Sequence, residues 1–339
     1  MDTAISCKNL GKSYQRRVRE PGVLGALRSF FSSQSLAVPA VSELSFVMQR
    51  GERVGLIGEN GAGKSTTLKM LTGIVVPSSG ELSVLGHVPS RERRKLARKI
   101  GVVFGQRPQL LWDIPVRETF SLLKTMYDIP NAVYEVTYGE AVKRLELEKL
   151  LGTPVRQLSL GQRMRCDLAA ALLHAPEIAF LDEPTIGLDV SVKEQVREFI
   201  RDMQGRFGTT LLITTHDLKD ITETCQRLLL LDRGSLLFDG SLRDFEKRFA
   251  SRRKIVIELE KAASSELVEQ LSPELLRLGG TLKEWAPHRV TVEYEREGVA
   301  PALTHLMLSR LNVADILLEK ADIESIVTGI YRRQATSEP

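Results

Sequence analysis

Cysteine is scarce in this chain of 339 residues: Cys7, Cys166 and Cys225 are the three, with no paired spacing among them. That excludes a disulfide scaffold or a cysteine-held metal, and points to buried thiols in a reducing compartment. Long apolar runs are missing too. A membrane-spanning helix needs about 18 or more uncharged apolar residues, and even LAAALLHAPEIAFL is cut by His174, Pro176 and Glu177. The opening residues, MDTAISCKNLGKSY, lack the apolar core of a secretory signal. The expectation is a cytosolic protein that reaches a membrane only through a partner. Neither sign of charge dominates, since 47 Lys and Arg against 43 Asp and Glu leave a net +4. So weak a bias does not ask for nucleic acid. No heptad run, internal repeat or low-complexity tract is visible.

What is present is ordinary globular composition, 42% hydrophobic and 27% charged, in a chain long enough for two domains. Residues 3–10 and 41–57 read as strands, the second ending in RVGLIG before a glycine-rich turn. An insertion over about 17–38 separates them, with Leu24, Leu27, Phe30 and Phe31 at helical spacing. A helix starts near 64, KIGVVFGQ reads as a buried strand, and 113–152 read as mainly helical. EIAFLDEP and TTLLITTHD are apolar strands around a helix, and RLLLLDRGSLLFDGS is a hairpin. Alternating strands and helices indicate an α/β fold on a largely parallel sheet. Beyond about 250 the order becomes β-α-β-β-α-β, the split arrangement of a ferredoxin-like domain.

The sharpest local signal is GENGAGKST, Gly58 to Thr66, which satisfies G-x-x-x-x-G-K-[ST] between a strand and a helix. Gly58, Gly61 and Gly63, with Asn60, let backbone N–H groups close on phosphate oxygens at a helix N-terminus. Lys64 can reach the β- and γ-phosphates, and the Ser65 hydroxyl can ligate Mg²⁺. A phosphate loop needs an acidic partner at the end of another buried strand. IAFLDEP supplies Asp182 for the metal and Glu183 to polarise an attacking water.

These residues resemble the nucleotide-binding subunit of an ABC transporter over about residues 3 to 245, with the motifs in the family's order. Gly58–Thr66 matches Walker A and Ile178–Glu183 matches Walker B. Gly187, Leu188 and Asp189 match the D-loop, and His216 the switch histidine. Gln106 matches the Q-loop, preferred over Gln109 for its spacing to Val116 and Glu118. Tyr14 looks like the aromatic that stacks on adenine. The resemblance implies a P-loop NTPase over residues 1–245: a RecA-like core, an antiparallel β subdomain and a helical subdomain at about 107–165. A small α+β ferredoxin-like domain for dimerisation or regulation would follow over 250–339. It implies an ATPase using ATP and Mg²⁺, the metal held by Ser65, Gln106 and Asp182, with Glu183, His216 and Gln106 as catalytic residues. Partners would be a second copy or a paralogous ATPase subunit, packed head to tail, and one or two membrane permease subunits, with no nucleic acid. The place of work would be the cytoplasmic face of the bacterial inner membrane. DIPVRETFSLLKTMYDIP and the LSLGQ stretch resemble ABC-2-type exporter ATPases in particular.

LSLGQ, Leu158–Gln162, differs by one letter from the family's LSGGQ signature. In the head-to-tail arrangement Ser159, the Gly161 amide and Gln162 would face the partner's ATP, through charge-assisted bonds of about 1.5–3 kcal/mol each. Leu160 keeps its backbone N–H but loses glycine's freedom at positive φ. It is therefore compatible only with a negative φ and a side chain turned from the phosphate. The basic run SRERRKLARK reads as a solvated face or a lipid or permease contact. Trp112, beside the Q-loop, reads as an interface anchor or as core packing.

Overall fold

The computed structural model describes residues 2–17, 35–105, 108–215, 217–249, 253–295 and 298–320, with positions 326, 327 and 330. The body of the insertion, Gln106, His216 and most of the expected closing helix lie outside these residues. The chain divides into two compact units, Met1–Ser241 and Leu242–Pro339.

The first unit opens with two long strands, β1 (Thr3–Arg17) and β2 (Ser35–Gln49), paired antiparallel; β1 pairs on its other edge with β4 (Ser79–Val84). The strand expected over 41–57 is in fact two. A turn at Arg50–Glu52, with Gly51 at φ +76°, separates β2 from β3 (Arg53–Gly58). Glycine reaches that left-handed angle without steric cost, and it sends the chain from the antiparallel sheet into the central one. That sheet runs β5-β6-β7-β3-β8-β9, from β5 (Ile100–Phe104), β6 (Ile178–Asp182), β7 (Thr210–Thr214), β8 (Arg227–Asp232) and β9 (Ser235–Ser241). Every pair is parallel except β8–β9. That hairpin turns on Arg233 and Gly234, both at positive φ, as a two-residue primed turn requires. The parallel strands read as unbroken apolar runs because both faces are covered.

Helices α1 (Lys64–Leu71), α2 (Arg93–Ala97), α3 (Val116–Met126), α4 (Asn131–Arg144), α5 (Leu160–Leu172), α6 (Val190–Phe207) and α7 (Leu218–Thr224) complete the unit. The basic run supplies only the short α2. One core joins Ile5, Leu10, Phe46 and Met48 of the antiparallel sheet to Leu68, Met70 and Leu71 of α1 and Ile178 and Phe180 of β6. Each such side chain contributes about 1.5–3 kcal/mol on leaving water, and together they hold α1 between the sheets.

The second unit contains α8 (Leu242–Phe249), β10 (Arg253–Leu259), α9 (Ser265–Arg277), β11 (Gly280–Ala286), β12 (Arg289–Tyr294), α10 (Ala300–Arg310) and β13 (Val313–Lys320). Its sheet order is β11-β12-β10-β13, antiparallel throughout. This is the ferredoxin-like order, with its own core of Ile255, Ile257, Val290, Val292, Leu275 and Met307.

His174, just past α5, stacks on Tyr127 with ring centroids 4.4 Å apart. Its Nε2 lies 3.1 Å from the Ile100 carbonyl and its Nδ1 is sealed from solvent without a partner. Burial pulls the imidazole from 6.5 down to about 4, so the fold holds it neutral. The unfolded chain then binds more protons between these values. This contribution to stability is complete above about pH 6.5 and is lost as the pH falls toward 4, with an upper size of about 3 kcal/mol. In His174→Gln, urea unfolding between pH 7 and 4.5 should lose that slope relative to the parent. Parallel curves for the two proteins would refute it.

Candidate functional site

Strand β3 ends at Gly58 and hands the chain to α1 through a loop that only glycine permits at two places. Gly63, the N-cap of α1, has φ +100°, and a Cβ there would lie 2.5 Å from the Ala40 carbonyl. A Cβ on Gly58 would come within 2.7 Å of the Leu231 carbonyl and 2.8 Å of the Ala62 methyl. The loop is thereby wedged between Ala40 inside β2 and the end of β8. Lys64 Nζ donates to the carbonyls of Gly58 (2.6 Å) and Glu59 (3.0 Å), and the residue is buried. Desolvation pulls its ammonium below the ordinary lysine value, against the carboxylates of Glu183, Asp182 and Glu59, which pull it up.

Strand β6 ends beside this loop at Asp182 and Glu183. The Thr214 hydroxyl donates to Asp182 Oδ1 at 2.5 Å, and the Glu183 amide donates to the Thr214 carbonyl at 2.9 Å. Glu183 itself has φ +53°. A side chain there costs about 1–2 kcal/mol, and such strain gathers where geometry serves function. The cavity between loop and strand measures about 950 Å³ and is lined by Gly58, Asn60, Ser65, Asp182 and Glu183, with Lys69, Ile74 and Phe104 on its walls. Backbone amides and an ammonium thus face a carboxylate pair across a space wide enough for a nucleotide.

Ser159, Gly161, Gln162, Asp189 and Tyr14 are not among the residues lining that cavity. Tyr14 lies on β1, exposed, with Lys12 Nζ 5.4 Å from its ring centroid. Ser159 and Gln162 form a capping box on α5: Ser159 Oγ accepts from the Gln162 amide at 3.2 Å, and Gln162 Oε1 from the Ser159 amide at 2.9 Å. The amides of Leu160 and Gly161 fall in the first turn, without intrahelical acceptors, where the helix dipole favours an anion. Leu160 is the first residue of α5 and is not among the residues at positive φ. Glycine's special angle is therefore not needed, and the condition on its backbone is met. Its side chain turns to the D-loop: a Cβ on Gly187, at φ +70°, would lie 2.7 Å from Leu160 Cδ2. Asp189 caps α6, accepting from the Val192 amide at 2.9 Å, a bond that holds its carboxyl below the usual range.

Sequence reasoning missed the groups behind these motifs. Asp220 is buried and accepts from Arg197 Nε (2.8 Å), the Thr215 hydroxyl (3.0 Å) and the Thr185 hydroxyl. It ties the residue before position 216 to the chain just after Glu183. Lys193 adds an ion pair to Asp217 at 2.6 Å. The two threonines preceding His216 were the only hint; nothing in the pattern pointed to Arg197.

A glycine-wedged phosphate loop facing an Asp–Glu pair at the ends of parallel strands defines a P-loop nucleotide hydrolase. The ABC transporter family model matches residues 41–186. NatA, an ABC transporter ATP-binding protein of Bacillus subtilis, is 30% identical over 212 residues, 62% of this chain and 86% of its own. The Nod factor export ATP-binding protein I of Mesorhizobium japonicum is 32% identical over 282 residues, 82% of this chain and 81% of its own. The linearmycin resistance ATP-binding protein LnrL of Bacillus subtilis is 31% identical, matched over 66% of its length. A dimeric ATP-binding cassette in a post-hydrolysis state with ADP and Pi superposes with TM-score 0.59 at 26% identity, over 70% of this chain and 99% of that one. The chain belongs to the ATP-binding subunits of ABC transporters, and ATP hydrolysis is its chemistry.

The contact of Leu160 with Gly187 should be measurable as a coupling. Gly187→Ala is expected to cost about 1–2 kcal/mol from its positive φ alone. In the parent it must also displace the leucine tip, a penalty absent from the Leu160→Gly background. A double-mutant cycle by urea unfolding should give a coupling of about 0.5 kcal/mol or more; strict additivity would mean the two side chains do not meet.

Proposed function

We propose that this chain is the ATP-hydrolysing subunit of a bacterial ABC-2-type exporter. Two copies, or this chain and a paralogous ATPase subunit, close head to tail around ATP and drive one or two separate permease subunits. The observation that carries the reading is the cavity in which the Gly58–Thr66 loop faces Asp182 and Glu183. In it, Lys64 and the amides of Asn60, Gly61 and Gly63 hold the phosphates, with Thr66 following Ser65 in the first turn of α1. Glu183 takes a proton from the attacking water, and Gln106 and His216 complete the catalytic set. The Ser65 hydroxyl and Asp182 carboxylate are hard oxygen donors on one cavity and fit Mg²⁺, which keeps several waters. Gln106 is the third proposed ligand. When bound, the ion neutralises charge on the β- and γ-phosphate oxygens.

Tyr14 supplies the adenine stack. Ser159, Gly161, Gln162 and Asp189 serve the partner's nucleotide. The Leu160 and Gly161 amides, open at an exposed helix N-terminus, support the reading. Loss of the γ-phosphate removes the bridge and lets the pair part, an order-and-release switch. Export rather than import is supported by the name of the Nod factor export relative. Among the described residues no helix is long and apolar enough to cross a membrane, which suits a subunit docked on a permease at the cytoplasmic face. The ferredoxin-like unit is read as the module for dimerisation or regulation.

Glu183→Gln tests the reading directly. Loss of a general base costs 10²–10⁴-fold, so turnover should fall by at least about a hundredfold. ATP should then shift the variant to a dimer on size-exclusion chromatography, and ADP should not. Parent-like turnover would instead remove the general-base role from Glu183.

A further inference from the structure

Residues 108–115, between β5 and α3, have no regular structure, yet they are fastened along their length to one other segment. The amides of Gln109 (2.8 Å) and Leu110 (3.3 Å) both donate to Asp167 Oδ1. The Trp112 carbonyl accepts from the Arg156 amide at 3.0 Å, and the Ile114 carbonyl from the Val155 amide at 3.3 Å. Arg163, one turn before Asp167 on the same face of α5, holds its guanidinium 5.8 Å from the centre of the Trp112 ring. These anchors lie between 155 and 167, the segment that carries the signature.

Asp167 is the telling member. It is 5% exposed in the interior of a helix, where an apolar side chain would pack without cost. Burial pushes its carboxyl up to about 6, and the two amides, with Arg163 more distantly, pull it back down. A carboxylate in so dry a place has one evident use, as the acceptor for two amides that would otherwise be buried without a partner.

We propose that Asp167 is a positioning residue that locks the 109–114 strap to the signature helix, so that strap and signature move as one body when ATP closes over Ser159. This rests on the reading of Ser159 given above. It makes Trp112, half-exposed on the strap, the surface at which closure is felt.

The experiment uses the full chain carrying Trp285→Phe, which leaves Trp112 as the sole tryptophan, and reads turnover, KM for ATP and Trp112 emission on adding ATP. Emission is recorded with Glu183→Gln also present, to stop hydrolysis. Asp167→Ala should lower kcat at least tenfold, leave KM within twofold and abolish the emission change. Asp167→Asn, whose amide oxygen accepts the same two bonds, should stay within twofold throughout. Arg163→Ala, a change outside the buried core, should fold in any case and lower kcat at least threefold, so it decides the matter if Asp167→Ala melts. Parent-like kcat and emission in Asp167→Ala or, failing its folding, in Arg163→Ala would overturn the proposal, as would an Asp167→Asn variant as impaired as alanine. Ser159→Ala separates the two readings: unchanged turnover there removes the role given to Ser159, whereas its loss beside a parent-like Asp167→Ala removes only the role given to Asp167.

Discussion

The site depends on the register of one buried threonine. Thr214, at the end of β7, stands opposite Leu56 of β3 on one side and Asp182 of β6 on the other. Parallel pairing brings the C-terminal ends of the two outer strands level, so the phosphate loop and the acidic pair emerge on the same edge of the sheet. The hydroxyl of Thr214 then fixes the Asp182 carboxylate and its carbonyl holds the Glu183 amide. A one-residue slip would turn every side chain of the strand to the other face, and would carry Asp182 away from Lys64. The apolar runs Val54–Ile57, Ile178–Leu181 and Leu211–Ile213 make such a slip costly, because all are buried on both faces.

Around that register the structure builds two hubs of different chemistry. Asp220 is the hub behind the acidic pair, joining Thr185, Thr215 and Arg197, and it is fully compensated by charge and hydrogen bonds. A buried pair of this kind breaks even against apolar packing at best; what it contributes is a defined position for chain segments that flank the reacting groups. Asp167 is the hub beneath the signature and uses backbone amides instead of a cation. Both carboxylates hold loops, Asp220 through Thr185 and Thr215 as well as Arg197 of α6, and loops are where a hydrolytic switch must keep its geometry without regular secondary structure.

Leu160 shows how a motif can change its side chain without asking for a different backbone. The glycine usual at this place suggests a demand on the backbone, yet the residue begins a helix at ordinary angles. The side chain that replaces hydrogen packs over Gly187, whose own lack of a Cβ makes the room. The signature and the D-loop of one chain are thereby in contact, and the positive φ that matters lies at 187, not at 160.

The amino-acid sequence by itself was enough for the class of fold and the phosphate loop, because Gly58–Thr66 and Ile178–Glu183 are local patterns whose chemistry follows from residue type and spacing. Strand and helix order in the second unit was legible for the same reason, since alternation of apolar and polar residues survives reading one residue at a time. It also led to a single strand over 41–57, because nothing in the periodicity records that Gly51 bends left and changes sheets. What only the tertiary structure decided were the long-range partners: Thr214 for Asp182, Asp220 for Thr185 and Arg197, Asp167 for the amides of 109 and 110, Leu160 for Gly187. Hydrogen bonds between segments 20 to 60 residues apart leave no periodic trace in a chain, so they could be found only where folding had brought the atoms together.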